Sequence, residues 1–260
     1  GEQAEWKKTG KNPIQVAERL FQVIERLAEN GPMGIMDLSA ELGFHKSTTH
    51  RLVTSLQYMG YIRQDEESLK YALSLKFLEI GSKILEQTNM ASLIHPSLKK
   101  LSEQTGETVH LVRREGTEAV YIDKVESTVS SIRMVSRVGS RIPLYCSGVG
   151  KALLAELPDP EIEDIWNSSE ITSLTPYTVT SLSDLMDRIR GVREAGYAMD
   201  DEENEEGVRC IAVSIPDYHK EPVYALSISA PVSRMTDARI AELSADVLTF
   251  KKDLEKTLGF

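Results

Sequence analysis

Cysteine is scarce in this chain: two residues, Cys146 and Cys210, among 260. Two thiols cannot build a disulfide framework, so reduced thiols inside a cell are expected. Histidine is also sparse. The five are dispersed, with no metal-ligand spacing to either cysteine, and no metal or other cofactor is expected. No stretch of 18 uninterrupted apolar residues occurs, which excludes a membrane-spanning helix. The opening GEQAEWKKTGKN lacks the apolar core of a secretory signal, so the expected location is the cytoplasm. Positive charge is in deficit. Thirty Lys+Arg stand against 40 Asp+Glu, a formal net charge of -10. That balance excludes a polycation that coats nucleic acid, but not a small DNA-reading face, because recognition depends on local charge. Internal repeats and low-complexity runs are absent as well.

What is present fits a globular protein with room for two domains: 41% hydrophobic and 27% charged residues over 260 positions. The acid is unevenly spread. Through residue 75 there are nine Lys+Arg and ten Asp+Glu, and the remainder carries 21 and 30. Two modules with different partners follow from that asymmetry.

Asn12 and Pro13 read as a helix cap and first helical position, and Val16, Leu20, Val23, Ile24 and Leu27 follow on one apolar face. Asn30-Gly31-Pro32 ends that helix. A short helix over 36–42 stops at Gly43. A second over 45–59 turns Thr49, Leu52, Val53 and Leu56 inward and stops at Gly60. Residues 61–63 and 69–73 look extended, around a polar turn at 64–68. This order of elements is a mainly α winged helix-turn-helix. Residues 74–89 return to a helical pattern with Phe77, Ile80, Gly81, Ile84 and Leu85 on one side, a linker helix whose stripe suits a second copy of itself.

Beyond residue 91, strands and helices mix. Helices are expected at 95–104, 148–157, 182–194 and 238–258. Strands are expected at 109–113, 119–125, 131–135, 210–215 and 224–229, the last two central. Long helices around an antiparallel sheet make an α+β domain.

The stretch Asp37-Leu38-Ser39-Ala40-Glu41-Leu42-Gly43-Phe44-His45-Lys46-Ser47-Thr48-Thr49-His50-Arg51-Leu52 carries the strongest functional signal. Ala40 is small where two helices cross, and Gly43 supplies the turn. The second helix opens with Lys46, Ser47 and Thr48, then His50 and Arg51. Its free N–H groups and positive dipole end suit phosphate, and its side chains suit base edges in a major groove. Arg63 and Lys70 offer wing contacts. The wing tip Asp65-Glu66-Glu67 repels phosphate, so the recognition helix is expected to dominate affinity. Lys7, Lys8 and Lys11 form a short basic arm that suits phosphates or a minor groove, or simply a solvated tail.

Over nearly its full length the chain resembles the IclR family of transcriptional regulators. The carrying residues are Leu42 through Leu52, Tyr58-Met59-Gly60-Tyr61-Ile62, and Pro143 through Ala155. Tyr71-Ala72-Leu73, Gly196-Tyr197-Ala198-Met199-Asp200-Asp201-Glu202-Glu203, Gly207 through Ala212, and Ala225 through Pro231 complete the set. The resemblance implies residues 1–74 as a winged helix-turn-helix, 75–90 as a linker and dimerisation helix, and 91–260 as an α+β GAF-like effector-binding domain. It also implies homodimers, in some cases dimers of dimers, on a roughly palindromic double-stranded DNA operator. The chain departs from the family at His45, where proline is common, and at its acidic wing tip.

Effector pockets of the family fall here on Gly148, Val149, Asp200, Cys210, Ser227 and Ser229, with Met134, Ile142 and Val208 as apolar wall. The residue types suit a small organic acid or hydroxylated aromatic. Gly148 and Gly150 let backbone amides approach a ligand. Ser227 and Ser229 share one strand face, Cys210 adds a weak donor, and Asp200 can accept from a ligand hydroxyl. The rest of the acidic run 200–206 reads as a solvated loop. Gly148-Val149-Gly150-Lys151 is not a phosphate loop, since Ala152 replaces Ser/Thr and the earlier glycine is missing. The alternatives are an enzyme with Cys210 as nucleophile, which needs a base the sequence does not supply, and a dimeric scaffold with a degenerate pocket. The expectation is a regulator and not an enzyme.

Overall fold

The computed structural model describes residues 12–87, 89–127 and 136–259. The chain divides into two compact units, the second starting at Asn89.

In the first unit, α1 (Gln15–Asn30) buries Val23 and Leu27 and packs Leu20 and Ile24 beside them. It starts two residues later than the sequence suggests. Asn12 Oδ1 accepts from Ile14 N at 3.0 Å, closing a turn ahead of the helix, and Val16 is left exposed. Helix α2 (Ile35–Leu42) ends at Gly43, whose φ of 67° and ψ of 26° favour glycine. Leu38 and Ser39 are the buried residues of α2, while Ala40 is exposed. The close crossing therefore uses Ser39, four residues before Gly43, and the expectation for Ala40 was one position out of phase. Ser39 stays inside because its hydroxyl donates to Ile35 O at 2.7 Å.

Helix α3 (Lys46–Tyr58) buries Thr49, Leu52, Val53 and Leu56, the four residues that periodicity turns inward. Strands β1 (Ile62–Gln64) and β2 (Tyr71–Leu73) pair antiparallel, Ile62 opposite Leu73, and Ile62 and Tyr71 join the same core. Helix α4 (Lys76–Gln87) follows. Phe77 packs on Tyr61 at 5.2 Å between rings, and the Lys76 ammonium lies 4.4 Å over the same ring. Leu75, Leu78 and Ile80 remain exposed.

The second unit opens with α5 (Met90–Thr105), capped by Asn89, whose Oδ1 accepts from Ala91 N at 3.0 Å. Pro96 lies inside this helix, which is why the sequence suggests a later start. Strands β3 (Thr108–Glu115), β4 (Glu118–Val125), β5 (Arg141–Pro143), β6 (Ala198–Asp201), β7 (Val208–Ile215) and β8 (Tyr224–Pro231) form one antiparallel sheet. Their order is β5-β4-β3-β8-β7-β6, so β3 and β8 hold the centre and β7 lies one place out. The expected strand 131–135 lies outside the described residues. Helices α6 (Gly148–Leu154), α7 (Asp159–Asn167), α8 (Leu182–Ala195) and α9 (Asp237–Leu258) complete the α+β unit.

Alternation along the strands splits the sheet residues between two cores. Val109, Leu111, Ile211, Val213, Ile215, Leu226 and Ile228 pack with α5 and α9. On the other face Val112, Ala119, Ala198, Ala212 and Ala225 pack with α6, α7 and α8. The small alanines let α6 lie close to the sheet. A Cβ added at Gly150 would stand 2.1 Å from Leu144 O, so that position admits no side chain. Among the described residues, no helix is long and apolar enough to cross a membrane.

Candidate functional site

On α3, Lys46, Ser47, His50 and Arg51 are exposed and Thr48 is half-buried. The helix opens at His45 with no side-chain cap, so its first N–H groups point outward without a side-chain acceptor. Ser47, Arg51, Thr54 and Tyr58 are spaced four, three and four apart and are all exposed, forming one stripe opposite the buried face. Thr54 and Tyr58, the latter 93% exposed, extend the surface beyond the residues singled out in the sequence. Helical spacing counted away from Val53 was the signal for both. Arg63 and Lys70 are exposed on the hairpin. At the wing tip, Asp65 Oδ1 accepts from both Ser68 N and Ser68 Oγ at 2.8 Å. The backbone bond from Ser68, then its hydroxyl, hold the Asp65 carboxyl below the usual range, so the tip stays anionic. Lys7, Lys8 and Lys11 lie outside the described residues.

In the second unit, register brings the polar candidates together. Asp200 on β6 stands opposite Cys210 on β7, and Cys210 stands opposite Ser229 on β8. Ser227, two residues along β8, stands opposite Ala212 and His110. Asp200, Ser227, Ser229 and His110 are all buried. Ser229 Oγ donates to Cys210 Sγ at 2.9 Å. Asp200 Oδ1 accepts from Glu203 N at 2.8 Å and Asn204 N at 3.3 Å, yet burial raises its carboxyl to about 7.

Gly148 lies against this row: an added Cβ would meet Ala212 Cβ and Asp200 N, each at 3.4 Å. Gly150 does not serve a ligand as expected. Its N–H is taken by Ser147 Oγ at 3.0 Å, and its missing side chain makes room for Leu144. Val149 is buried on α6. Val208 is half-buried opposite Pro231, and Ile142 is buried on edge strand β5 opposite Ala119. Met134 lies outside the described residues.

Two residues of this region escaped the sequence reading. The first is Glu203, assigned to a solvated acidic loop but 1% exposed, where it forms an ion pair with Lys151. Arg188 adds a longer contact at 3.5 Å, and the Thr178 hydroxyl donates to Glu203 O at 2.6 Å. Lys151, buried and paired, cannot cradle a phosphate. The second is His110. Its signal was its place in an apolar run, where a polar residue on the inward face needs a partner.

Cys210 does not fit a nucleophile. Burial drives its thiol upward, away from thiolate, and His219 sits exposed in the turn after β7. Cys146 is fully buried, and burial raises it to about 12.

Comparison with known proteins sets this geometry in context. The model of the bacterial transcriptional regulator IclR C-terminal matches residues 82–255, and that of the IclR helix-turn-helix domain matches 16–66. The chain belongs to the IclR family. The acetate operon repressor of Salmonella typhimurium is 36% identical over 249 residues, covering 95% of this chain and 90% of the repressor. The regulator KdgR of Escherichia coli is 35% identical over 252 residues, 96% of this chain and 95% of KdgR. Among solved structures, the Thermotoga maritima IclR superposes with a TM-score of 0.62 at 32% identity, covering 95% and 99% of the two chains. The Agobacterium tumefaciens repressor BlcR gives 0.79 at 25% identity, covering 96% and 99%. This IclR-family member is a DNA-binding transcriptional regulator and not an enzyme.

Proposed function

We propose that this regulator reads a roughly palindromic operator and that a small oxygenated acid, or a hydroxylated aromatic, controls it. The reading divides the chain into a DNA-binding part (1–74), a linker and dimerisation helix (75–90) and an effector-binding part (91–260). Lys46, Ser47, Thr48, His50 and Arg51 enter the major groove, and Arg63 and Lys70 contact the flanking backbone. The protein acts in the cytoplasm as a homodimer, with a dimer of dimers as the larger assembly. The exposed apolar residues of α4 support a partner helix there.

The observation that carries the effector reading is one row of polar groups across the sheet: Asp200, Ser229 and Ser227, all buried, and Cys210, half-buried. Natural cores bury such groups only when something polar satisfies them. Gly148 and Val149 bring backbone amides to the same place, and Val208 and Ile142 supply the apolar boundary, to which the family resemblance adds Met134.

Two experiments test the two halves. Arg51→Ala is expected to weaken binding to a duplex selected by the wild-type protein from a randomised library, by about tenfold or more at fixed salt, without lowering the melting temperature. Unchanged affinity refutes the recognition-helix assignment. For the pocket, a thermal-shift screen of two- to eight-carbon carboxylates is expected to find members that raise the melting temperature, since a ligand of the folded state must stabilise it. A flat screen favours the scaffold with a degenerate pocket.

A further inference from the structure

His110 is the residue around which the polar row closes, and no motif of the sequence marks it. It lies on central strand β3, opposite Ser227 of β8 and Lys124 of β4. Its ring is 2% exposed, with Tyr121 edge-on at 5.1 Å between centroids. Its Nε2 is well bonded, 2.6 Å from Ser136 Oγ. Its Nδ1 is not. Among the described residues its contacts are Ser227 Oγ and Ser229 Oγ, both at 3.5 Å, beyond the usual 2.7–3.2 Å of an N–H···O bond.

The contact with Nδ1 is also the one hydrogen-bond contact of Ser227 Oγ among the described residues. Three polar atoms thus face one another inside the molecule: Ser229 Oγ is satisfied by Cys210 Sγ, whereas Nδ1 and Ser227 Oγ have no contact shorter than 3.5 Å among the described residues. Leaving buried donors and acceptors half-satisfied is costly, and an oxygen shared among the three removes that cost. Burial lowers the basicity of His110 to about 3, with the Lys124 ammonium adding to the effect, so the ring is neutral. A neutral imidazole carries one donor and one acceptor and offers no charge to balance an anion.

We infer that His110 is the specificity-determining residue of the effector pocket, where its Nδ1 and the Ser227 and Ser229 hydroxyls together bind an uncharged oxygen of the ligand, a carbonyl or a hydroxyl. The inference rests on the pocket reading above and sharpens it. A carboxylate alone does not complete the site, and a second carboxylate placed at His110 would be buried against a neutral ring, with the nearby Lys124 ammonium already paired with Glu126 at 2.9 Å. Ligands that carry a keto or hydroxyl group beside their acid are therefore favoured over unsubstituted acids and diacids of the same skeleton.

The test is isothermal titration of the full chain with the sodium salts of propionate, lactate, pyruvate and malonate, and of benzoate and 4-hydroxybenzoate. The variants His110→Leu and His110→Asn are titrated in parallel. The wild type is expected to bind at least one oxygen-bearing member about tenfold or more tightly than its unsubstituted or dicarboxylate counterpart. His110→Leu is expected to lose that preference. His110→Asn retains a neutral donor and acceptor near the Nδ1 position and is expected to restore most of it, which a merely structural role would not predict. If the wild type discriminates and His110→Leu discriminates equally, the assignment of His110 is overturned and the pocket stands. If no member of the series binds the wild type, the pocket reading falls, and His110 with it.

Discussion

Burial keeps the Asp200 carboxyl protonated up to about pH 7, whereas in the unfolded chain the same group loses its proton near 3.8. Between those values the folded protein holds a proton that the unfolded chain has released. Stability therefore falls as pH rises through this window and levels off above it. Asparagine cannot ionise, yet its side-chain oxygen can still accept from the N–H groups of Glu203 and Asn204. Asp200→Asn is thus expected to raise the melting temperature by several degrees at about pH 8, with the gain vanishing near pH 4. Thermal denaturation across that range decides it. A gain equal at both ends shows that folding does not raise the Asp200 carboxyl.

At the scale of elements, the contact between α6 and the start of the 202–207 turn depends on Lys151 and Glu203, 2% and 1% exposed. Removing one partner of a buried pair leaves the other charge without compensation, at a cost of about 3–5 kcal/mol, while replacing both is far milder. Lys151→Met alone is expected to lower urea stability by roughly that amount, and adding Glu203→Leu is expected to return much of it. Additive losses in the double variant would mean that the two charges do not compensate each other. Periodicity made much of this architecture legible. The inner face of α3, the β3–β4 hairpin, the β7–β8 pair and the closing helix all stand close to where spacing puts them, because each buries one regular face. What escaped is short or set by context. Strands β5 and β6 have three and four residues, too few for a pattern, and α7 (nine residues, opening just beyond Pro158) is an element that the sequence reading does not assign. The site divides in the same way. Ser227, Ser229, Cys210 and Asp200 stand out through motifs, whereas His110 and Glu203 acquire meaning only when register and burial give them neighbours.

At the scale of the whole molecule, the two units have separate cores and different chemistry. The first exposes the polar stripe Ser47, Arg51, Thr54 and Tyr58, and the second carries the row of polar groups proposed above as the effector site. Regulation requires that a ligand of the second unit have different affinities for the DNA-competent and DNA-incompetent arrangements of the first. Linkage makes the effect reciprocal, and couplings of this kind usually amount to about 5- to 150-fold. The acid that binds most tightly in the carboxylate series is therefore added at saturation to a fluorescence-anisotropy titration of the selected duplex at fixed salt. The expected result is an operator Kd altered about fivefold or more in the wild type and unaltered in Ser227→Ala. An operator Kd that is the same with and without the bound acid contradicts the account.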